Sequence, residues 1–244
     1  MSADPGAGAG LERLLDVQEH DLAVDRLRHQ RETLPERAAL ATIQSDLDGI
    51  ERERAGIAPQ RDEAAREEQR LDDEATSIEE KAAEVERQLY SGTISSPREL
   101  QAMQADVEQL RRHRSSLEDR ELEVMERREG FDKVLADLQA RASELEAQAD
   151  GLRGTLAAGE ATIDAEIATE VDARDELASG LPADVVAEYE RRRAQARGVG
   201  AARLVGVSCQ GCHLSIPSVE AERIRKAPPG TLAFCDNCGC ILVP

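Results

Sequence analysis

The chain has 244 residues, and its composition excludes several classes of protein. Charged residues make up 33% of it, with 50 acidic against 31 basic side chains, and it contains two Tyr, two Phe and no Trp. Because bulky apolar side chains are so scarce, we do not expect a large compact domain. A net charge of −19 repels nucleic acid phosphates on average, so any binding of RNA or DNA would be confined to a local patch.

The N-terminal residues carry no pattern of a targeting segment or a membrane anchor. Residues 1–10 are small and rich in glycine, and we predict a disordered leader there. They lack the basic and apolar regions of a secretory signal, and no apolar run in the chain approaches the roughly 20 residues of a membrane span. We therefore expect a cytoplasmic protein that does not associate with membranes.

Residues 11–180 carry the pattern of a long antiparallel coiled-coil helical hairpin, and the fold class is mainly α. An apolar stripe runs from Leu11 to Leu34, and Pro35 then marks a kink or a new helix start. After Pro35, apolar residues recur at alternating spacings of three and four, which is the heptad pattern of a coiled coil. The first series is Leu40, Ile43, Leu47, Ile50, Ile57, Ala64, Leu71, Ala75, Ile78, Ala82, Val85 and Leu89, and the second begins at Leu100 and ends at Ile163.

A break between the two series predicts the tip of the hairpin near residues 90–98. Residues 96–99 form a capping box with proline at the first helical position, so a new helix starts there. Folding the two helices back on each other about this tip pairs Leu71 with Leu117. Further pairs along the hairpin also join apolar residues, as an antiparallel seam requires.

The middle of the hairpin departs from this pattern. Charged side chains occupy heptad positions at Arg54, Arg61, Glu68, Arg114, Glu121 and Arg128, and Pro59 lies beside them. One interpretation is that these long side chains extend to water from a slightly rotated seam. The other is that the hairpin is bent or loosely held here so that a partner can dock. The sequence leaves both interpretations open.

Residues 181–200 predict a short helix and a linker. Gly180 and Pro182 end the long helix, and residues 183–197 read as a short helix that directs Tyr189 inward. A basic run, Arg191 to Arg193, follows Tyr189. Gly198 and Gly200 then lead into the C-terminal segment.

All five cysteines lie at or after position 209, and four of them form two C-x-x-C pairs. The pairs are Cys209 with Cys212 and Cys235 with Cys238. Such pairs can place four thiolates about 2.3 Å from one zinc ion at the corners of a tetrahedron. We therefore predict that residues 201–244 form a C4-type zinc ribbon with one structural Zn²⁺, built from short β-strands and a short helix.

Other uses of these cysteines fit the sequence less well. A redox C-x-x-C of the thioredoxin type needs a βαβ context that is absent, a reducing compartment disfavours disulfides, and four thiolates leave no open position for catalysis. His213 is next to Cys212, and we expect it outside the ligand set. The fifth cysteine, Cys240, is either a spare thiol after the second pair or a substitute ligand for Cys238.

The sequence resembles a bacterial family of helical-hairpin proteins with a C-terminal C4-type zinc ribbon. The resemblance rests on the tip residues 89–100, on Tyr189-Glu-Arg, and on the blocks 209–217 and 235–242. It implies zinc ligation by the four paired cysteines. It also implies an adaptor or chaperone whose partner is an alternative sigma factor, a secretion component or messenger RNA. Cys240 departs from the family, which favours a basic residue there.

We therefore expect a non-enzymatic, zinc-binding coiled-coil adaptor that binds protein partners, possible partners being the transcription or secretion machinery. No nucleophile, base and orienting acid can be assembled from the scattered histidines. The alternative is a regulatory protein that binds RNA or DNA through the ribbon and nearby basic residues. The basic residues concerned are Arg191, Arg192, Arg193, Arg197, Arg203, Arg223, Arg225 and Lys226. The sequence leaves the oligomeric state open.

Overall fold

The computed structural model describes residues 6–244, with side chains from Leu11 onward. Five helices and three short strands follow one another over this range. The helices are α1 (Gly6–Glu32), α2 (Pro35–Leu89), α3 (Pro97–Ser179), α4 (Ala183–Gln195) and α5 (Ser218–Arg225), and the strands are β1 (Ala201–Val205), β2 (Ser208–Cys209) and β3 (Ile241–Val243). The predicted fold class is confirmed: long helices precede a small C-terminal region of short strands and one short helix.

The start of the chain differs from the prediction of a disordered leader. Helix α1 begins at Gly6, so residues 6–10 are helical, while residues 1–5 lie outside the described range. Three of these five residues are glycines, which disfavour a helix, so local propensity does not account for this early start. The helix begins before the first apolar residue at Leu11.

The described residues form two compact units, and the first consists of residues 39–152. Helices α2 and α3 pack here through two apolar clusters. Leu71 and Leu117 are almost fully buried in one cluster, and Ile50 and Leu138 are buried in the other. These are the partners that the heptad pattern pairs, so the seam follows the periodicity of the sequence.

Four of the six charged residues in the middle of the hairpin form ion pairs between the two helices. Arg128 lies 2.7 Å from Glu68, and Arg61 lies 2.9 Å from Asp132. Helix α2 continues without interruption through Pro59. These side chains therefore reach partners at the edge of the seam, and both interpretations of this stretch stay predictions.

The second unit contains residues 1–38 together with residues 153–244. Its described part places α1 against the C-terminal strands. Leu14 and Val17 of α1 form one buried cluster with Tyr189 of α4 and with Ile241 and Val243 of β3. The sequence predicts α1 as part of the hairpin domain of residues 11–180, and that division stays a prediction; in the structure α1 shares a core with the ribbon strands.

A buried polar network also joins α1 to the linker before the ribbon. The Gln18 side-chain oxygen accepts hydrogen bonds from the backbone N–H groups of Gly200 (2.6 Å) and Ala201 (3.2 Å), and its amide nitrogen donates to the Gly198 carbonyl (2.9 Å). The Tyr189 hydroxyl donates to Asp21 at 2.6 Å. These bonds satisfy backbone groups that would otherwise be buried without partners.

Across the range that the structure describes, no helix combines the length and the apolar character needed to cross a bilayer.

Candidate metal centre

A three-stranded sheet in the order β2-β1-β3 holds the two cysteine pairs. Strand β1 pairs antiparallel with β2, placing Leu204 opposite Cys209. It pairs in parallel with β3, placing Ala201 opposite Ile241. The first cysteine pair therefore begins at the end of β2, on one side of β1. The second pair lies just before β3, on the other side of β1.

The two C-x-x-C turns have the same hydrogen-bonding pattern. In the first, the His213 N–H donates to the Cys209 carbonyl at 2.8 Å, and in the second the Gly239 N–H donates to the Cys235 carbonyl at the same distance. Both donors have positive φ angles, 60° for His213 and 79° for Gly239. Each turn is thus a tight knuckle that directs two cysteine side chains to one point.

The knuckles are also closed in the same way by the residues that follow them. The N–H of Cys209 donates to the Leu214 carbonyl at 3.1 Å, and the N–H of Cys235 donates to the Cys240 carbonyl at 2.9 Å. Isolated bridges then join Ser208 to Ser215 and Phe234 to Ile241. Cys240 therefore occupies, in the second knuckle, the position that Leu214 occupies in the first.

The four paired cysteines come together as the sequence predicts. The Sγ atoms of Cys209, Cys212, Cys235 and Cys238 all lie within 4.8 Å of one another. Cys209 Sγ is 3.9 Å from Cys238 Sγ, and Cys212 Sγ is 3.8 Å from Cys235 Sγ. A tetrahedron with Zn–S bonds of about 2.3 Å has edges of about 3.8 Å, so the donor set fits one structural zinc ion.

Burial makes these sulfurs dependent on a cation. It raises the pKa of the Cys238 thiol to about 12, and the backbone amide of Cys240 opposes the rise by donating to the sulfur. A divalent cation stabilises the thiolates and displaces their protons. Zinc bound by Cys209, Cys212, Cys235 and Cys238 would have all its positions occupied by sulfur, and its role there is to stabilise the fold.

An apolar shell surrounds the cysteines and excludes water from them. It contains Leu204 and Leu242 from the sheet, Ile216 after the first knuckle, and Ala221 and Ile224 from α5. Helix α5, which lies in the 22-residue segment between the knuckles, therefore covers this small core. The sequence predicts this helix over residues 218–226, and it is observed over Ser218–Arg225.

The remaining candidates near the site have different positions. His213 is exposed, which agrees with the expectation that it lies outside the ligand set. Cys240 is fully buried, and burial raises the pKa of its thiol. Its Sγ lies 3.3 Å from Cys238 Sγ and 3.6 Å from Cys209 Sγ, so the fifth thiol packs directly against two of the four ligands.

The sequence analysis did not identify the contact between α4 and the second knuckle. The Arg192 guanidinium lies 4.1 Å from the centre of the Phe234 ring, just before Cys235. Glu188 accepts a hydrogen bond from Arg192 at 2.6 Å and fixes its position. The i,i+4 spacing of Glu188 and Arg192 predicts their pairing, but only the fold brings Phe234 beneath the arginine.

The fold and the site define a coiled-coil hairpin protein with a closed four-cysteine zinc ribbon. The family model of the CT398-like coiled coil hairpin domain matches residues 17–197, and the model of the C4-type zinc ribbon domain matches residues 208–242. The chain therefore belongs to the CT398-like coiled-coil hairpin family. Both matched models describe structural domains rather than enzymes.

Known proteins from several bacteria are similar over nearly their whole length. The uncharacterized protein Rv2229c of Mycobacterium tuberculosis is 30% identical, and the match covers 97% of this chain and 96% of the relative. A Mycobacterium smegmatis structure has a TM-score of 0.85 at 24% identity, covering 100% of this chain and 99% of that one. CT398 from Chlamydia trachomatis has a TM-score of 0.72 at 19% identity, covering 98% and 99%. These structural likenesses show a shared fold.

Proposed function

We propose that the protein is a non-enzymatic cytoplasmic adaptor that binds a protein partner through its zinc ribbon. The observation that carries this proposal is a set of exposed apolar side chains next to the first knuckle, which we call the ribbon patch. It consists of Val205, Val207, Leu214 and Val219, with exposed fractions of 54%, 39%, 53% and 81%. All four lie between residues 205 and 219, and exposed apolar side chains concentrated in a short segment favour an interaction site.

Backbone hydrogen bonds hold the ribbon patch together. The Ile216 N–H donates to the Val207 carbonyl at 2.8 Å, and the Cys209 N–H donates to the Leu214 carbonyl. The zinc ion stabilises the knuckle that displays these residues. The metal therefore acts on binding through the fold, since its coordination by four thiolates leaves no position for a substrate.

The charges around the ribbon favour a protein partner over a nucleic acid. Arg223 is paired with Glu220, Lys226 with Glu222 at 3.0 Å, and Arg203 with Glu12 at 3.3 Å. The basic run on α4 is likewise paired with acidic residues. Nucleic acid binding depends on cations that are free to replace counterions on phosphates, and these pairs weaken the positive field.

A crosslinked pull-down from the native cell, with and without RNase, tests the proposal. The bait is the full zinc-loaded chain, and the ribbon-patch variant carries Leu214→Asp and Val219→Asp. The matched control is Leu122→Asp, because Leu122 is 58% exposed but belongs to the hairpin unit. We expect the same protein to be captured by the wild type and by the Leu122 control, with or without RNase, and to be lost with the ribbon-patch variant.

Two results would contradict the proposal. If the ribbon-patch variant still captures the partner, the docking site lies elsewhere on the protein. Capture that disappears after RNase treatment would favour the nucleic-acid alternative, in which messenger RNA or DNA is the primary ligand.

A further inference from the structure

Cys240 places a fifth thiol against a site that needs four. Its Sγ is 3.3 Å from Cys238 Sγ, and its side chain is fully buried. Leu214, which occupies the equivalent backbone position in the first knuckle, has no thiol. The thiol of Cys240 is therefore not required by the metal or by the backbone geometry.

Access from solvent differs among the five sulfurs. Cys209, Cys235 and Cys240 are buried, whereas Cys212 and Cys238 are half-buried. A small oxidant reaches the half-buried pair first. Of these two, Cys238 Sγ contacts the Cys240 thiol, while Cys212 Sγ contacts Cys235 Sγ.

The backbone between Cys238 and Cys240 suits a bond between their sulfurs. A single residue separates them, and it is Gly239 with a φ angle of 79°. Glycine adopts this conformation without strain, so the chain can turn tightly between the two cysteines. Bond formation requires the sulfurs to close from 3.3 Å to the S–S length of about 2.05 Å.

We propose that Cys238 and Cys240 form a peroxide-sensitive dithiol that controls whether the ribbon retains zinc. The Cys238 thiolate attacks one oxygen of hydrogen peroxide, the O–O bond breaks, a sulfenic acid forms and hydroxide leaves. The Cys240 sulfur then attacks the sulfenic sulfur, the S–S bond forms, and the released oxygen departs as water with the Cys240 proton. The two sulfurs together give up two electrons, and one peroxide is reduced to one water and one hydroxide.

This reaction removes one of the four zinc ligands. A disulfide sulfur is a much weaker donor than a thiolate, because the thiolate is the form that binds metals. The Cys235 N–H also bonds to the Cys240 carbonyl, so the disulfide forms within the turn that positions a further ligand. Zinc is therefore released, and a thiol reductant with added zinc restores the site. The switch is independent of which partner the protein binds.

The test oxidises the zinc-loaded full chain with hydrogen peroxide and follows zinc release with a chromogenic chelator. Differential alkylation before and after reduction, followed by fragment mass spectrometry, identifies the oxidised cysteines. We expect zinc release to accompany the loss of two free thiols, located at Cys238 and Cys240, and both changes to be reversed by a reductant and zinc.

The variant Cys240→Ala removes the fifth thiol without adding bulk at this fully buried position. It should bind one zinc ion per chain, lose the disulfide, accumulate a sulfenic acid at Cys238 that dimedone traps, and release zinc more slowly. A disulfide in the wild type that excludes Cys240 would overturn the proposal. So would zinc release by the variant at the wild-type rate. Identification of the oxidised cysteines in the wild type tests the proposal even if the variant folds poorly.

Discussion

At the scale of single residues, Tyr189 is the side chain that couples α1 and α4 to the start of the ribbon. It is fully buried, and its hydroxyl donates to Asp21 Oδ2 at 2.6 Å. Any Cβ at Gly200 would lie 2.6 Å from the Tyr189 ring, so glycine is needed there. Burial, and then the Asp21 carboxylate, raise the pKa of Tyr189 well above its usual value.

The first prediction concerns Tyr189→Phe. The variant keeps the ring but removes the hydroxyl that donates to the buried Asp21 carboxylate, which keeps Arg174 and Arg193 at 3.5 Å. We therefore expect the free energy of unfolding to fall by about 1–3 kcal/mol. Chemical denaturation of the zinc-loaded chain at neutral pH measures the change. The control is Tyr90→Phe at the hairpin tip, where the side chain is 80% exposed and removal of the hydroxyl should cost less than about 0.5 kcal/mol.

The same tyrosine predicts a pH dependence. Because its pKa is raised in the fold, Tyr189 keeps its proton while the unfolded chain loses it above about pH 10, so stability falls as the pH rises through that value. In Tyr189→Phe this component is absent. The difference in stability between the two proteins should therefore shrink at alkaline pH, and a constant difference would contradict the burial of a neutral phenol.

Some residues of the site could be predicted from sequence, and others could not. Cys209, Cys212, Cys235 and Cys238 could be identified because a C-x-x-C spacing is local and the chemistry of zinc restricts the ligands. Gln18 could not, because its partners Gly198, Gly200 and Ala201 lie about 180 positions away along the chain. The sequence signal for a buried polar contact is a glutamine among the apolar residues on one face of α1.

At the scale of elements, the seam between α2 and α3 contains a destabilising carboxylate at Glu121. Burial, and then the nearby carboxylates of Asp72, Glu68 and Glu118, raise its pKa. The charged form is therefore disfavoured in the folded hairpin at neutral pH. The seam tolerates it because the apolar layers on either side are well packed.

The second prediction is that Glu121→Gln stabilises the hairpin at pH 7. The gain should be below about 1 kcal/mol because the group is partly hydrated, and it should vanish as the pH falls through the raised pKa, where Glu121 itself becomes neutral. The midpoint of the helical transition in thermal unfolding measures it. The control is Glu123→Gln, an exposed residue, and a stabilisation of equal size in that control would contradict a specific effect at Glu121.

Heptad spacing explains why α2 and α3 could be predicted and why the role of α1 could not. Leu71 and Leu117 follow from periodicity, since an antiparallel pair about a known tip has only one apolar register. Leu11, Leu14 and Val17 also mark an apolar face, but their partner is a three-stranded sheet that begins at Ala201. Nothing local in the sequence distinguishes a helix that faces another helix from one that faces a sheet.

At the largest scale, the described residues form two units with separate cores. The hairpin unit of residues 39–152 has apolar clusters formed by α2 and α3 alone. The other unit depends on zinc, because the knuckles lead into the sheet against which α1 packs. Composition predicts that the chain has no large compact domain, and the core that Tyr189 and several aliphatic residues build around α1, α4 and the sheet is small.

Hydrogen exchange monitored by mass spectrometry, before and after zinc is removed by a chelator, tests whether α1 and the ribbon form one zinc-dependent unit. We predict that exchange rises in residues 201–243 and in residues 11–21 of α1, because the apolar face of α1 loses the sheet that covers it. The buried segments 64–78 and 117–124 of the hairpin unit should keep their protection. If α1 keeps its protection after zinc is removed, or if the hairpin loses protection together with the ribbon, the account is wrong.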